Sequence, residues 1–397
     1  MKNYKSIVLI ALLAIFLGHL AFRIFSYYNE YSTKYDAVYW KSRYEKSQWN
    51  AQVGCGDFDP HINPKTCVWD DAWFQSKGKY NLDKKQESIG DDGLYAYAGW
   101  EYIHGKDPTL LNAEMPPLGK YLIGYSILLF GNQNIFAFLS GAIVLAGLFL
   151  LGKLILKDSL LAFIPVVLFS LEPLFYTQLR APYLDLLYLS FLIFTFYFFL
   201  KNKFYLSSFF LGLMMATKAS LATFGLVAIS ILIYLVIKKD KNSFIKWLVS
   251  LPLSMVVFLF SYSRYFLLGH NLIDFLKVQK WVISFYSSGA KGVFGSVFQM
   301  FLLGQWPTWF GKTVRVSEWS IIWPILFFLT LAFSIIQIRK RKLEISSLLI
   351  IWIAVYFVFL LTLPVFPRYF LVIVPFLYIV FVDFLKESRV KRLLKKI

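Results

Sequence analysis

The chain has 397 residues, of which 58% are hydrophobic and only 16% are charged. Soluble domains carry about 25% charged residues, and the 41 Phe, 25 Tyr and 12 Trp are more aromatic side chains than one water-soluble core can bury. This composition excludes soluble, disordered, collagenous and disulfide-scaffold classes and predicts an all-α polytopic membrane protein. The net charge of +18 is then explained by basic residues beside membrane spans, so we expect no nucleic-acid partner.

The N-terminal segment looks at first like a signal peptide, because Lys2 and Lys5 precede an apolar run. No small-residue cleavage site follows that run, and Arg23 lies near its far end. We therefore interpret residues 1–25 as an uncleaved first membrane span.

Apolar stretches along the chain predict ten membrane-spanning helices. They lie at 6–25, 135–152, 159–176, 183–200, 204–217, 219–237, 245–267, 318–338, 345–363 and 368–385. Two further apolar stretches, 119–131 and 294–311, are predicted to lie at the membrane interface without crossing it.

Basic residues fix the expected orientation, because cytoplasmic loops of membrane proteins are enriched in Lys and Arg. Lys153, Lys203, Lys239 and Arg341 represent basic segments that all fall on one side of the predicted spans. We therefore expect a multi-pass protein of the cell membrane with both termini cytoplasmic. The resulting segments are a first outer loop at 26–134, spans two to seven within 135–267, a second outer loop at 268–317, spans eight to ten within 318–385, and a basic cytoplasmic tail at 386–397.

The first outer loop has many Gly, Pro and Asp residues and predicts a compact cap of short helices lying on the membrane. Cys55 and Cys67 are the only cysteines and could form a disulfide on an oxidising face. Together with Asp57, Asp59 and His61 they could alternatively form a structural metal site. Asp57-Phe58-Asp59 also matches the D-x-D motif of soluble sugar transferases, but no nucleotide-binding α/β domain surrounds it.

Charged residues near the span ends gather on the outer face under this topology, and charges at membrane depth are functional candidates. They are Asp91, Asp92, Glu114, Lys120, Arg180, Asp185, Lys218 and Arg368. Isolated cations beside apolar helices suit an anionic headgroup whose tail lies in lipid, such as a prenyl phosphate. A nearby carboxylate pair could serve as general base or hold a divalent metal such as Mg or Mn.

Structural interpretations of the same residues stay open. Arg180 and Asp185 could form a structural ion pair, and Lys218 and Arg368 could snorkel to the interface. Asp91 and Asp92 could be solvated carboxylates of a turn, and His104 a surface residue at another. The cluster favours function, because random snorkelling would not select the side with fewer positive charges.

Four motifs occur in the order expected for a known superfamily. They are Asp91-Asp92-Gly93-Leu94-Tyr95 with Gly105-Lys106-Asp107-Pro108 and Glu114-Met115-Pro116-Pro117-Leu118-Gly119-Lys120; Arg180-Ala181-Pro182-Tyr183-Leu184-Asp185; Gly212 to Thr217-Lys218; and Arg368-Tyr369-Phe370 with Pro375. They resemble the protein O-mannosyltransferase and lipid A aminoarabinose transferase superfamily, over residues 85–235 and the last span. These are membrane glycosyltransferases of the C-type fold (GT-C).

The resemblance implies an inverting transferase that uses a polyprenyl-phosphate sugar donor and a protein, lipid or glycan acceptor. Asp91 would deprotonate the acceptor hydroxyl, and Asp92 would orient it or share a metal. Lys120, Arg180, Lys218 and Arg368 would bind the donor phosphate, supported by Glu114 and Asp185.

The chain departs from the family pattern in two places. Met115 stands where the mannosyltransferases have His before the Pro pair and the aminoarabinose enzymes have a nearby Lys, which removes one expected polar contact. The first loop is also extended between residues 26 and 90, where Asp70-Asp71 offers a rival acidic pair. Its spacing to Pro116 fits the family less well than that of Asp91.

Two alternatives to an enzyme are a transporter or flippase of lipid-linked sugars and a catalytically inactive scaffold. Transporters place polar groups near the midplane and often have inverted repeats. Here the charges lie at one face and the sequence contains no detectable repeat, which favours the transferase.

Overall fold

The computed structural model describes residues 2–47, 89–288, 292–308, 312–339 and 344–394. Within these ranges the chain is helical apart from one small β-hairpin, so the predicted all-α class is confirmed. The helices are α1 (Lys2–Ser26), α2 (Tyr28–Ser32), α3 (Ala37–Glu45), α4 (Asp91–Ile103), α5 (Leu118–Phe130), α6 (Ile135–Leu156), α7 (Ser159–Ser170), α8 (Pro173–Leu179), α9 (Asp185–Leu200), α10 (Phe204–Met215), α11 (Ser220–Lys238), α12 (Lys241–Ser250), α13 (Pro252–Phe260), α14 (Ser263–Leu267), α15 (Leu272–Ser288), α16 (Ser296–Leu303), α17 (Ile322–Arg339), α18 (Ser347–Leu360) and α19 (Val374–Leu394). The strands are β1 (Gln305–Pro307) and β2 (Thr313–Arg315), and a 3₁₀ helix covers Pro367–Val372.

Six helical segments of the described chain are long and apolar enough to cross a membrane, and the bent pair α7–α8 would make a seventh. All seven coincide with predicted spans. The other three predicted spans are the apolar helices α9, α10 and α18, with 16, 12 and 14 residues. Sixteen helical residues extend about 24 Å, which is less than the hydrocarbon thickness of about 30 Å. The multi-pass class is therefore confirmed, and the count of ten stays a prediction.

The break between α7 and α8 bends the chain by 68°. Pro173 disfavours helical geometry at the preceding residue, and Glu172 is extended, with φ −67° and ψ 130°. The buried Glu172 carboxylate accepts hydrogen bonds from the Tyr378 hydroxyl and, at 3.1 Å, from Trp323 Nε1. The break therefore turns α8 away from the axis of α7, and the Glu172 carboxylate at the break keeps its hydrogen bonds.

Helices α4 and α5 pack backbone against backbone. A Cβ atom on Gly99 would lie 2.3 Å from the Lys120 carbonyl oxygen, and one on Gly124 would lie 2.3 Å from the Gly99 carbonyl oxygen. Glycine at both positions is therefore required for the contact. The predicted interfacial stretch forms α5, whose 13 residues are too few to span a bilayer, and its end exposes Leu128, Leu129 and Phe130.

The segment before α17 differs from its prediction. The apolar stretch 294–311 was expected to form one interfacial segment, but its helix covers only Ser296–Leu303. Gly304 ends that helix with a left-handed φ of 68°, and the chain continues as a β-hairpin. The strands are antiparallel, with Gln305 opposite Arg315 and Trp306 opposite Val314.

The hydrophobic core surrounds the C-terminal helix. Buried side chains from Val374 to Val382 occupy every face of α19, which packs against α6, α7, α17 and α18. Nearby, the Trp352 indole Nε1 donates to the Val372 carbonyl oxygen at 2.8 Å. This core fixes the position of the 3₁₀ helix that precedes α19.

Candidate active site

Asp91 and Arg368 form an ion pair that joins α4 to the start of the last predicted span. Asp91 is the first residue of α4, where the helix dipole favours a carboxylate, and Arg368 lies in the 3₁₀ helix Pro367–Val372. Arg368 Nη1 is 2.7 Å from Asp91 Oδ2, and the two side chains are 22% and 29% exposed. This charge-assisted hydrogen bond orients the carboxylate while solvent can still reach it.

Asp185 and Lys218 form a second, more deeply buried ion pair. Asp185 begins α9, and Lys218 lies in the turn between α10 and α11, where Ala219 has a left-handed φ of 48°. Lys218 Nζ is 2.6 Å from Asp185 Oδ1 and 5.6 Å from the centre of the Tyr369 ring. Burial lowers the pKa of Lys218, and the Asp185 carboxylate opposes that shift.

The two ion pairs belong to one electrostatic cluster. Arg368 interacts with Asp185 as well as with Asp91, and Lys218 interacts with Arg368 and Asp91 in addition to Asp185. Two carboxylates and two cations from four separate segments therefore meet. Of the eight charged residues predicted to gather on the outer face, these four lie close together.

Lys120 and Glu114 lie beside this cluster but have local partners. The buried Lys120 ammonium donates to the carbonyl oxygens of Asn112 and Met115 at 2.6 and 2.7 Å and to Asn112 Oδ1 at 3.2 Å. An ammonium has three N–H donors, so all of them are used. Lys120 therefore holds the turn before α5, and binding a phosphate would require those bonds to break.

One carboxylate oxygen of Glu114 has no hydrogen-bond partner among the described residues. Its carboxylate accepts a hydrogen bond from Asn112 Nδ2, while its Oε2 is buried without a partner among the described residues. Burial raises the pKa of Glu114 to about 7, opposed chiefly by the Lys120 charge. Burial also lowers the pKa of Lys120 to about 7, opposed by Glu114.

Arg180 lies outside the cluster formed by Asp91, Asp185, Lys218 and Arg368. Its Nη2 is 3.2 Å from Glu30 Oε1, and its side chain is 57% exposed. The interpretation of Arg180 and Asp185 as a structural ion pair is therefore wrong, because Asp185 binds Lys218 instead. No sequence pattern indicated Glu30 as the partner, because it lies 150 residues away along the chain.

Asp92 points away from its neighbour, as adjacent residues on a helix do. Its Oδ1 folds back over the start of α4, where a Cβ atom on Gly90 would lie 2.5 Å from it. Among the charged groups that act on Tyr183, Asp92 has the largest effect. The two acids therefore differ in their surroundings, because the Asp91 carboxylate binds the Arg368 guanidinium.

The described residues contain no cluster of protein ligands for the expected divalent metal. No group of three or more His, Cys, Asp or Glu side chains with metal-binding geometry occurs among them. Cys55, Cys67, Asp57, Asp59, His61 and the rival pair Asp70-Asp71 lie outside the described residues. His104 is exposed at a turn, and its Nδ1 lies 2.7 Å from the Trp100 carbonyl oxygen, which agrees with its interpretation as a surface residue.

A cavity of about 440 Å³ opens beside the Asp91–Arg368 pair. Gln178 of α8 lines it, as do Trp306 and Arg315 of the β-hairpin. Sequence reasoning missed these three residues, because the break at Pro173 and the hairpin bring them to the cavity. Tyr286 of α15 was also missed; its hydroxyl donates to the Glu114 carbonyl oxygen at 3.2 Å.

Residues 114–263 match the family model described as dolichyl-phosphate-mannose-protein mannosyltransferase. That range includes Lys218 and Asp185 but neither Asp91 nor Arg368. The resemblance predicted from the motifs is thereby confirmed.

Solved structures support the same fold. The chain resembles ArnT from Cupriavidus metallidurans bound to undecaprenyl phosphate, with a TM-score of 0.58 and 18% identity, over 75% of this chain and 56% of that one. The apo form of the same protein matches with a TM-score of 0.57 and 17% identity, over 77% of this chain and 57% of that one. The chain thus spans little more than half the length of these relatives. No curated protein sequence matches it.

Proposed function

We propose that the protein is a glycosyltransferase that moves a sugar from a polyprenyl-phosphate donor to a protein, lipid or glycan hydroxyl on the outer membrane face. The observation that carries this proposal is the Asp91–Arg368 pair at 2.7 Å, on the wall of a cavity and beside the Asp185–Lys218 pair. The matched family model and the undecaprenyl phosphate bound by ArnT support a lipid-phosphate donor. The basic residues on the opposite side support the outward orientation.

Asp91 is the general base of the proposed reaction. Its carboxylate takes the proton of the acceptor hydroxyl while that oxygen forms a bond to C1 of the sugar. The bond between C1 and the phosphate oxygen breaks, and its electron pair leaves with the lipid phosphate. One displacement of this kind inverts the anomeric centre. The Arg368 guanidinium holds the carboxylate in one orientation.

Arg368 and Lys218 stabilise the phosphate as it leaves. Arg368 Nε is buried without a hydrogen-bond partner among the described residues, so this guanidinium has a donor beyond the one that binds Asp91. Lys218 is held in place by Asp185. Fixed cations stabilise developing negative charge most strongly where water is excluded, because they need no reorganisation during the reaction.

Transfer or hydrolysis from a panel of polyprenyl-phosphate sugars tests the proposal, using the purified full chain with and without chelator. We expect Asp91→Asn to lower the rate by about 10²–10⁴-fold, whereas the matched variant Asp92→Asn keeps most activity. Loss in Asp70→Asn instead would move the base to the earlier acidic pair. Donor movement across a bilayer without turnover would favour the transporter.

A further inference from the structure

The cavity beside Asp91 is bounded by elements from distant parts of the chain. Gln178 comes from α8, Asp91 from α4, Arg368 from the 3₁₀ helix, and Trp306 and Arg315 from the β-hairpin. The cavity is open to solvent and has a volume of about 440 Å³. A molecule in it would adjoin Asp91, the proposed base.

Gln178 offers an unused hydrogen-bond acceptor at this cavity. Its side chain is 4% exposed, and its Oε1 has no partner among the described residues. Buried polar atoms in native proteins nearly always have a partner, so an orphan on a cavity wall points to a ligand. The break at Pro173 fixes its position, because it sets the direction of α8.

The opposite wall combines an aromatic face with charged groups. Trp306 packs against Phe366 with ring centroids 5.5 Å apart, which holds its indole in place. Arg315 adds N–H donors, and Glu318 adds a carboxylate that accepts a hydrogen bond from Ser317 Oγ at 2.6 Å. A sugar ring has an apolar face for an indole and hydroxyls that both donate and accept hydrogen bonds, so it matches this wall.

We propose that this cavity is the acceptor subsite and that it binds a sugar ring, with Gln178 and Trp306 as its principal contacts. The acceptor is then a glycan or glycoside whose hydroxyl is directed at Asp91, while the donor phosphate lies toward Lys218. This inference rests on the proposed function, because the cavity can hold an acceptor only if the protein is a transferase.

Sugar binding is measured first without catalysis, by saturation-transfer difference NMR with methyl glycosides on the purified full chain in detergent micelles. We expect at least one methyl glycoside to bind the wild type, and Gln178→Leu and Trp306→Ala to abolish the signal. Gln299→Leu is the matched control, because this glutamine lies on α16 and bonds Gln305 Oε1 at 3.3 Å. Unchanged thermal unfolding temperatures show that the variants are folded.

Kinetics provide the second measurement, with the same methyl glycosides and a Ser/Thr peptide as competing acceptors. We expect Gln178→Leu to raise KM for the glycoside roughly tenfold, whereas the control Gln299→Leu keeps the KM of the wild type. Peptide binding that depends on Gln178 would overturn the sugar assignment in favour of a protein acceptor.

The two proposals fail in different ways. Glycoside binding that depends on Gln178, without turnover of any donor, would support the sugar site and overturn the transferase. Turnover that is insensitive to both Gln178→Leu and Trp306→Ala would overturn the acceptor subsite and leave the transferase intact.

Discussion

The ammonium of Lys218 lies 2.6 Å from Asp185 Oδ1, with 11% and 8% of the two side chains exposed. This pair joins the start of α9 to the turn before α11, two segments that also border the Asp91–Arg368 pair. The cation proposed to bind the donor phosphate is therefore held by a carboxylate that does not itself react.

Replacing Asp185 alone should destabilise the protein strongly. Asp185→Asn leaves the Lys218 charge buried without its counter-ion, and removing one partner of a buried pair costs about 3–5 kcal/mol. The double variant Asp185→Asn with Lys218→Met should regain most of the unfolding temperature but no transfer activity. Thermal unfolding in detergent, measured beside donor turnover, separates the two effects. Equal unfolding temperatures for the single and double variants would contradict this account.

The close contact between α4 and α5 gives a second prediction. Gly99→Ala and Gly124→Ala each place a Cβ atom 2.3 Å from a carbonyl oxygen of the facing helix, so the helices must separate. Because Asp91 begins α4, we expect both lower thermal stability and lower transfer activity.

Gly225→Ala is the matched control for these glycine variants, since nothing lies within 4 Å of a Cβ atom built there. Alanine has the higher helix propensity, so this variant should be as stable as the wild type or slightly more so. If Gly99→Ala behaved like Gly225→Ala, the backbone contact would be wrong.

The Glu114–Lys120 pair predicts how stability depends on pH. The folded pKa of Glu114 is raised from 4.5 to about 7, so its contribution is fully present below pH 4.5 and is lost as the pH rises to about 7. The folded pKa of Lys120 is lowered from 10.5 to about 7, so its unfavourable contribution declines as the pH rises from about 7 toward 10.5. The pair therefore predicts a stability minimum near neutral pH.

Glu114→Gln tests the acidic half of this profile, because glutamine does not titrate. Its unfolding temperature should rise relative to that of the wild type between pH 5 and pH 7, and thermal scans in matched buffers measure the difference. A constant difference over that interval would show that Glu114 ionises as readily in the folded protein as in the unfolded chain.

Residues near the ends of helices could be located from the sequence because hydropathy and charge asymmetry determine where spans begin and on which side. That information was sufficient to list Asp91, Asp185, Lys218 and Arg368 among the eight charged residues expected on one face. It was insufficient to predict their pairing, because a contact such as Arg180 with Glu30 depends on how distant helices pack. The assignment of Lys120 to the donor phosphate did not anticipate its bonds to backbone carbonyl oxygens, because those bonds depend on the conformation of the loop.

Helix length and loop conformation could not be predicted from the hydropathy pattern either. Hydropathy located α9, α10 and α18 but did not show that they have 16, 12 and 14 residues. Hydropathy did not separate the paired strands Gln305–Pro307 and Thr313–Arg315 from the preceding helix. The reason is that Trp306 and Val314 are as apolar as the residues of that helix. Gln178 gave no signal, because an unpaired amide becomes apparent only when its surroundings are packed.

Arg368 should be sensitive to the shape of its side chain as well as to its charge. Arg368→Lys keeps the charge but loses the planar set of donors that can bind a carboxylate and a phosphate together, so we expect roughly a tenfold rise in donor KM. Arg368→Gln removes the charge, leaves Asp91 unpaired and should lower kcat by about 10²–10³-fold. Steady-state kinetics with the preferred polyprenyl-phosphate sugar measure both effects.

The control for the Arg368 variants is Arg339→Gln, since Arg339 is exposed in the last turn of α17. Arg180→Gln is the informative comparison, because Arg180 pairs with Glu30 at an exposed site where an ion pair contributes little. A loss of activity in Arg180→Gln as large as that in Arg368→Gln would return Arg180 to the phosphate site and contradict the arrangement proposed here.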